Sequence, residues 1–173
     1  AMPLIHHCYA SPLGEMLGIL SPDGLCLLEF VGQGGVAREK AQVEAARGGT
    51  LAKAGANALT EQLGRELAEY FAGQRQRFDV PLDLVGTPFQ LRVWQALLAV
   101  PYGHTCSYGQ QAQHIGQPTA TRAVAAANGQ NKVSVIVPCH RVIGSNGTLT
   151  GYGGGLPRKQ WLLSLESGER PLI

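Results

Sequence analysis

Cys139 and His140 stand side by side in Pro138-Cys139-His140-Arg141-Val142, at the end of the apolar run Val133-Ser134-Val135-Ile136-Val137. A free cysteine, pKa ~8.5, is mostly protonated at neutral pH, and only the thiolate is a nucleophile. An adjacent imidazole can take that proton, so the pair is a nucleophile with its base. Neighbouring side chains on one strand point to opposite faces, so the two cooperate only if the apolar strand breaks at Pro138. Further on, Pro157 at N1 opens a last helix with Trp161, Leu162 and Leu165 inward and Glu166 on or beside that face. A carboxylate at the negative end of a helix, next to its apolar face, needs a compensating partner. Histidine suits it, since a carboxylate fixes the imidazole tautomer and strengthens it as a base. Cys139, His140 and Glu166 form a candidate relay.

The elements that must position these residues read as follows. Leu4–Tyr9, Met16–Leu20 and Leu25–Phe30 alternate with the turn sequences Ser11-Pro12-Leu13-Gly14 and Ser21-Pro22-Asp23-Gly24, which predicts a β-meander. Gly32–Gly55 shows little apolar period and is expected to be a variable connection. Leu59, Leu63, Leu67, Tyr70 and Phe71 share a helical stripe ended by Gly73, and Arg75–Gly86 reads as an extended linker. Thr87-Pro88-Phe89-Gln90 has the N-cap, N1 and N3 residues of a helix start, and that helix stops before Pro101-Tyr102-Gly103. Ser107 caps a short helix through Ile115, Gly116-Gln117-Pro118 turns the chain, and Thr119 caps another helix ending at Gly129. Two short helices across a glycine turn have helix-turn-helix proportions. In the second, Ala120, Val124 and Ala127 with Ala123 beside them form the buried stripe, leaving Arg122, Ala125 and Ala126 outside. One arginine on a smooth alanine face suits a narrow minor groove better than base reading in the major groove. The glycines of Gly151-Tyr152-Gly153-Gly154-Gly155 suit backbone approach to a ligand, and no nucleotide-binding motif surrounds them.

The chain has 173 residues, 45% apolar and 15% charged, with a net charge of +2. From Thr87 onward seven cations face two acids, Glu166 and Glu169, a net +5; the earlier part holds seven cations and ten acids, a net −3. A polyanion partner therefore belongs to the second half. No apolar run reaches the ~20 residues of a membrane span, no leader is visible, and a cytoplasmic protein is expected. The cysteines Cys8, Cys26, Cys106 and Cys139 lack framework or zinc spacing, so free thiols and no metal are expected. His6-His7 reads as an exposed strand end.

Pro138-Cys139-His140-Arg141-Val142-Ile143-Gly144 resembles the active-site signature of the O6-alkylguanine-DNA alkyltransferases of bacterial type. So do Pro101-Tyr102-Gly103 with Ser107-Tyr108, Thr121-Arg122-Ala123-Val124, Asn128-Gly129 with Asn131, Thr150-Gly151-Tyr152, and Arg158-Lys159 with Trp161-Leu162-Leu163 and Glu166. The likeness runs in order from Thr87 to Glu166; before it, the Ser-Pro-Leu-Gly turn and Glu69-Tyr70-Phe71-Ala72-Gly73 are compatible. The resemblance implies that Cys139 accepts the alkyl group, His140 deprotonates it through a water, and Glu166 orients His140. Asn131 would brace the turn into the active-site strand, and Arg122 would replace the extruded guanine in the stack. Tyr108 would crowd the phosphate and donate a proton towards the departing base. Tyr152, Gly153 and Ser134 would line the pocket, and Ser107, Thr119, Arg122, Ala123, Ala125 and Ala126 would meet DNA. Lys132 stands where the family commonly has proline, putting a charge near DNA, and Ser134 replaces a pocket proline of vertebrate-type members. The zinc ligands of those members do not recur.

The expected fold is α/β: a small N-terminal α/β domain with an antiparallel sheet over 1–80 and a linker to 86. A mainly helical, winged-helix-like domain with a helix-turn-helix follows over 87–173. The expected activity is stoichiometric, irreversible transfer of an alkyl group from O6-alkylguanine, and from O4-alkylthymine, of a flipped nucleotide to Cys139. It needs no cofactor, and the protein is expected to act on double-stranded alkylated DNA through the minor groove, as a monomer with room for cooperative binding. Rival readings are a cysteine hydrolase or amidase, a non-catalytic binder of alkylated DNA, and a methylation-sensing regulator.

Overall fold

The computed structural model describes residues 3–168. Ala1, Met2 and the Glu169 and Arg170 counted in the charge balance lie outside the described residues. The chain divides into two compact units, 1–85 and 86–173.

In the first unit, β1 (Ile5–Tyr9), β2 (Met16–Ser21) and β3 (Gly24–Phe30) form the meander, with Tyr9 opposite Met16 and Met16 opposite Phe30. The two turns do what their residues predict. Ser11 and Gly14 close the first, and the second needs Gly24 at φ +151°, where a Cβ would sit 2.5 Å from the Pro81 carbonyl oxygen. His6 and His7 lie within β1 rather than at a frayed end, and His7 Nδ1 is 3.0 Å from the Gly55 carbonyl oxygen. Among the described residues no cluster of three metal-binding side chains forms.

Gly32–Gly55 is more ordered than its composition suggests. It holds α1 (Val36–Ala46) and a short strand β4 (Lys53–Ala54), which joins β1 in parallel and gives the sheet order β3-β2-β1-β4. Val43 is the only strongly apolar anchor of α1, packing with Leu4, Ile19, Cys26 and Leu27. The other inward residues are Glu39 and Glu44, and Glu44 accepts from Lys40 Nζ and from the Ala52 N–H, both at 2.7 Å. Carboxylates on the inner side of the helix erase the apolar period that marks it.

Next, α2 (Ala58–Phe71) starts on an Asn57–Thr60 capping box and buries Leu63, Leu67 and Tyr70. Its buried Glu66 accepts the N–H groups of Asp79 and Val80. The expected linker is thereby drawn onto the sheet: Leu25 N–H donates to the Pro81 carbonyl oxygen, Asp83 N–H to that of Leu25, and Arg47 forks onto Asp83 at 2.6 and 2.9 Å.

The second unit begins with α3 (Pro88–Leu98), entered through the Thr87–Gln90 capping box and burying Val93, Trp94 and Leu97. A two-residue strand β5 (Cys106–Ser107) leads into α4 (Tyr108–His114), then α5 (Thr121–Gly129), a second short strand β6 (Val142–Ile143) parallel to β5, and α6 (Leu156–Glu166). Trp94 Nε1–H reaches the Ala127 carbonyl oxygen at 2.9 Å and ties α3 to α5. No helix among the described residues is long and apolar enough to cross a membrane.

Candidate functional site

Cys139, His140 and Arg141 make one turn of 3-10 helix, and the apolar run before them is not a strand. Residues 134–136 turn back on themselves, with Ile136 N–H donating to the Ser134 carbonyl oxygen at 2.8 Å. Val135 is buried with φ +72°, a conformation that strains a β-branched residue by on the order of 1–3 kcal/mol. Asn131 braces this turn rather than a strand. Its Oδ1 accepts from Val133 N–H at 3.0 Å, and its Nδ2 donates to the Val137 carbonyl oxygen at 2.9 Å and lies 3.3 Å from Cys139 Sγ. One side chain thus shapes the backbone and presents a donor to the thiol. Successive residues of a 3-10 turn diverge by about 120°, which removes the opposite-face problem of a strand.

His140 is fully buried, and its Nε2 lies 2.7 Å from Glu166 Oε2. Burial would raise the Glu166 carboxyl, but hydrogen bonds from His140 and Arg141 overcome this and hold it at about 2. Burial pushes the imidazole below the ordinary histidine value, against the pull of Glu166. An ionised Glu166 only accepts, so the neutral ring carries its proton on Nε2 and keeps its lone pair on Nδ1. Nδ1 is buried and has no hydrogen-bond partner among the described residues.

Two cations of the site escaped the sequence reading. Arg141 donates through Nε to Glu166 Oε1 at 2.7 Å, through Nη2 to Oε2 at 3.0 Å, and through Nη1 to the Val100 carbonyl oxygen at 2.7 Å. Lys159, fully buried, donates through Nζ to the carbonyl oxygens of Val142 at 2.5 Å and Thr150 at 2.7 Å, linking β6 to the glycine loop. Burial pushes its ammonium pKa down, and the charge of Cys139 opposes that. A signal existed for Lys159, which shares one face of α6 with Leu162 and Glu166.

The remaining expected residues fall in three places. Tyr108 opens α4, with its hydroxyl 3.3 Å from the Thr150 carbonyl oxygen, facing the loop that Lys159 holds. Tyr152 and Gly153 lie in that loop, and Ser134 is buried in the turn before the cysteine. Arg122, Ala125 and Ala126 are exposed on α5, and Ala123 joins them there instead of the buried stripe. Ser107 caps α4 through a capping box with Gln110, but Thr119 does not cap α5: Ala120 holds that position without a side-chain bond, and the helix starts at Thr121. Pro157 is the second residue of α6, after Leu156, with Gly155 at the N-cap. Lys132 is 6% exposed, its Nζ 5.2 Å from the Trp94 ring centroid, so its charge is spent on packing instead of standing at a surface. Between α4 and α5, Gln111 and Asn128 exchange two amide hydrogen bonds at 2.9 and 2.8 Å.

The other thiols lack such surroundings. Burial raises Cys26 to about 11 and raises Cys106, while partial desolvation and the Glu15 carboxylate raise Cys8. A cavity of about 520 Å³ is lined by Ala96, Val100, Cys106, Gln110, Gln111 and His114, and another of about 250 Å³ by Gly103, His104, Ile143, Leu163 and Glu166. Cys139 lines neither.

Fold and site define a two-unit α/β protein that mounts a thiol, a buried imidazole and a carboxylate beside a helix-turn-helix. Residues 4–84 match the family profile "6-O-methylguanine DNA methyltransferase, ribonuclease-like domain" and residues 88–168 its "DNA binding domain". The methylated-DNA–protein-cysteine methyltransferase of Mycobacterium leprae is 50% identical over 164 residues, 92% of each chain. That of Mycobacterium tuberculosis is 60% identical over 106 residues, and the match spans 61% of this chain and 64% of that protein. A crystal structure of Mycobacterium tuberculosis OGT in complex with DNA superposes with a TM-score of 0.82 at 43% identity, covering 96% of this chain and 94% of that one. The chain belongs to the 6-O-methylguanine DNA methyltransferase family.

Proposed function

We propose that this chain repairs DNA by direct reversal, moving an alkyl group from O6-alkylguanine, and from O4-alkylthymine, irreversibly onto Cys139. The carrying observation is the pairing of Asn131 Nδ2 with Cys139 Sγ beside a buried His140 held by Glu166. The family's named relatives and the DNA complex of a similar protein support it.

An alkyl carbon on O6 is out of reach inside a duplex, so the nucleotide swings out at a cost of a few kcal/mol, less for a badly paired base. The exposed Arg122 on its alanine face enters the stack through the minor groove, while Ser107, Thr119, Ala123, Ala125 and Ala126 approach the backbone. The flipped base lies against Tyr152, Gly153 and Ser134. His140 Nδ1 takes the Cys139 proton through a water, and Asn131 stabilises the thiolate. The S–C bond forms as the C–O6 bond breaks, its electron pair leaving with the base, which Tyr108 protonates; the proton on His140 returns to Tyr108 through solvent. The product is a thioether, whose S–C bond does not hydrolyse at neutral pH, so each molecule acts once, as a monomer in the cytoplasm.

The test is a duplex bearing O6-methylguanine labelled in the methyl group. One equivalent of label on Cys139 is expected, with Cys139→Ser binding the duplex and taking none. Label released to solvent with repeated turnover would mean hydrolysis and overturn the reading.

A further inference from the structure

Arg141 touches neither the thiol nor any group assigned to the substrate, yet it is nearly buried and its hydrogen bonds lie inside the site. It is 8% exposed, its fork covers both oxygens of Glu166, its third donor holds Val100, and its guanidinium carbon lies 5.8 Å from the Tyr102 ring centroid. Glu166 Oε2 is shared between Arg141 Nη2 at 3.0 Å and His140 Nε2 at 2.7 Å.

A buried carboxylate facing an imidazole with no other cation favours the imidazolium. That state has donors at both nitrogens and no lone pair for the proton of Cys139. A guanidinium on the same carboxylate removes the demand, because the negative charge is already balanced by a group that stays protonated. We propose that Arg141 is a positioning residue that, by neutralising Glu166 through its two-bond fork, keeps His140 in the neutral Nε2–H form able to accept the Cys139 proton. This rests on the dealkylation reading above.

The charged groups acting on His140 are Glu166 and Lys159 from α6 and Arg141 from its own turn, while Cys139 acts on Lys159. Tyr102, from the segment after α3, meets the far side of Arg141. Lys159 acts in the same direction as Arg141 but spends its donors on the carbonyl oxygens of Val142, Thr150 and Gly151. Arg141 is the cation bonded to the carboxylate itself.

Nitrogen NMR of the His140 ring in Cys139→Ser protein reads the protonation state without the coupled thiol. The ring is expected to stay neutral with its proton on Nε2 between about pH 6 and 8, the range in which histidine switches. Adding Arg141→Gln should make the doubly protonated ring dominant over that range, and adding Glu166→Gln as well should return it to neutral. With Cys139 intact, Arg141→Gln should slow methyl transfer about tenfold or more, within the ~100- to ~10,000-fold a general base contributes. A ring that stays neutral in folded Cys139→Ser/Arg141→Gln protein overturns the proposal. If that variant does not fold, Arg141→Lys keeps a charge without the fork: an intermediate upward shift in ring titration supports the proposal, and an unchanged titration overturns it. Wild-type protein that transfers no methyl sinks the dealkylation reading while leaving the ring measurement to be judged separately.

Discussion

Three of the four thiols are held as poor nucleophiles by burial or a nearby carboxylate, while Cys139 alone has an amide donor at its sulfur and a histidine next to it. Glu166 is the residue whose loss should be felt most widely. In the folded protein it is held at about 2, below the ordinary carboxylate value of 4.5, so its contribution is present above pH ~4.5 and is lost as pH falls towards 2. The shift corresponds to about 3 kcal/mol. His140, also depressed, adds a loss of the same sign that begins as pH falls below about 6.5. Calorimetric unfolding should therefore show a falling Tm from neutral to acid pH, and Glu166→Gln should flatten the steepest part below pH ~4.5 while lowering stability at neutral pH. An unchanged profile in that variant would contradict the assignment. Lys159→Met removes the donor from three carbonyl oxygens and should slow transfer more than it weakens duplex binding, measured by rapid quench against fluorescence anisotropy. Cys139, His140 and Glu166 were legible in the sequence because a helical stripe carries a carboxylate where only a partner could tolerate it. Arg141 and Lys159 were not, because long cations default to the surface and nothing local announces that carbonyl oxygens or a carboxylate will enclose them.

At the scale of elements, capping residues and turns were the readable part. Thr87 and Ser107 cap as their side chains allow, with reciprocal bonds from Gln90 and Gln110, whereas Thr119 does not cap α5. The unreadable elements depend on tertiary partners. Helix α1 hides Glu39 and Glu44 on its inner side, and the run 133–137 looks like a strand until Asn131 captures it as a turn with Val135 left-handed. The helix-turn-helix is held by the Gln111–Asn128 amide pair, buried on both sides. Gln111→Ala leaves the Asn128 amide unpaired and should cost about 1–3 kcal/mol in denaturant unfolding. The double replacement Gln111→Leu with Asn128→Leu should cost much less than twice that; simple additivity would show that the two amides act independently. On α5, Arg122→Ala should leave folding unchanged and reduce base extrusion, read as a smaller fluorescence rise from a reporter base beside O6-methylguanine.

Across the whole molecule, charge and chemistry coincide in sequence: the second unit carries both the net +5 and the thiol, while the first carries a net −3. Duplex affinity should fall as salt rises, with a log–log slope set by the few phosphates met, about −0.9 for each. The proposed entry of Arg122 alone into the stack predicts little sequence preference around the damaged base. Stoichiometry is the property that separates a consumed reactant from a catalyst. The most direct test is the intact mass of the protein after one equivalent of O6-methylguanine duplex, followed by peptide mapping. The account predicts a gain of one methylene per molecule, confined to the Cys139 peptide and unchanged by excess substrate. An unmodified protein, a gain on Cys8, Cys26 or Cys106, or continued turnover would contradict it.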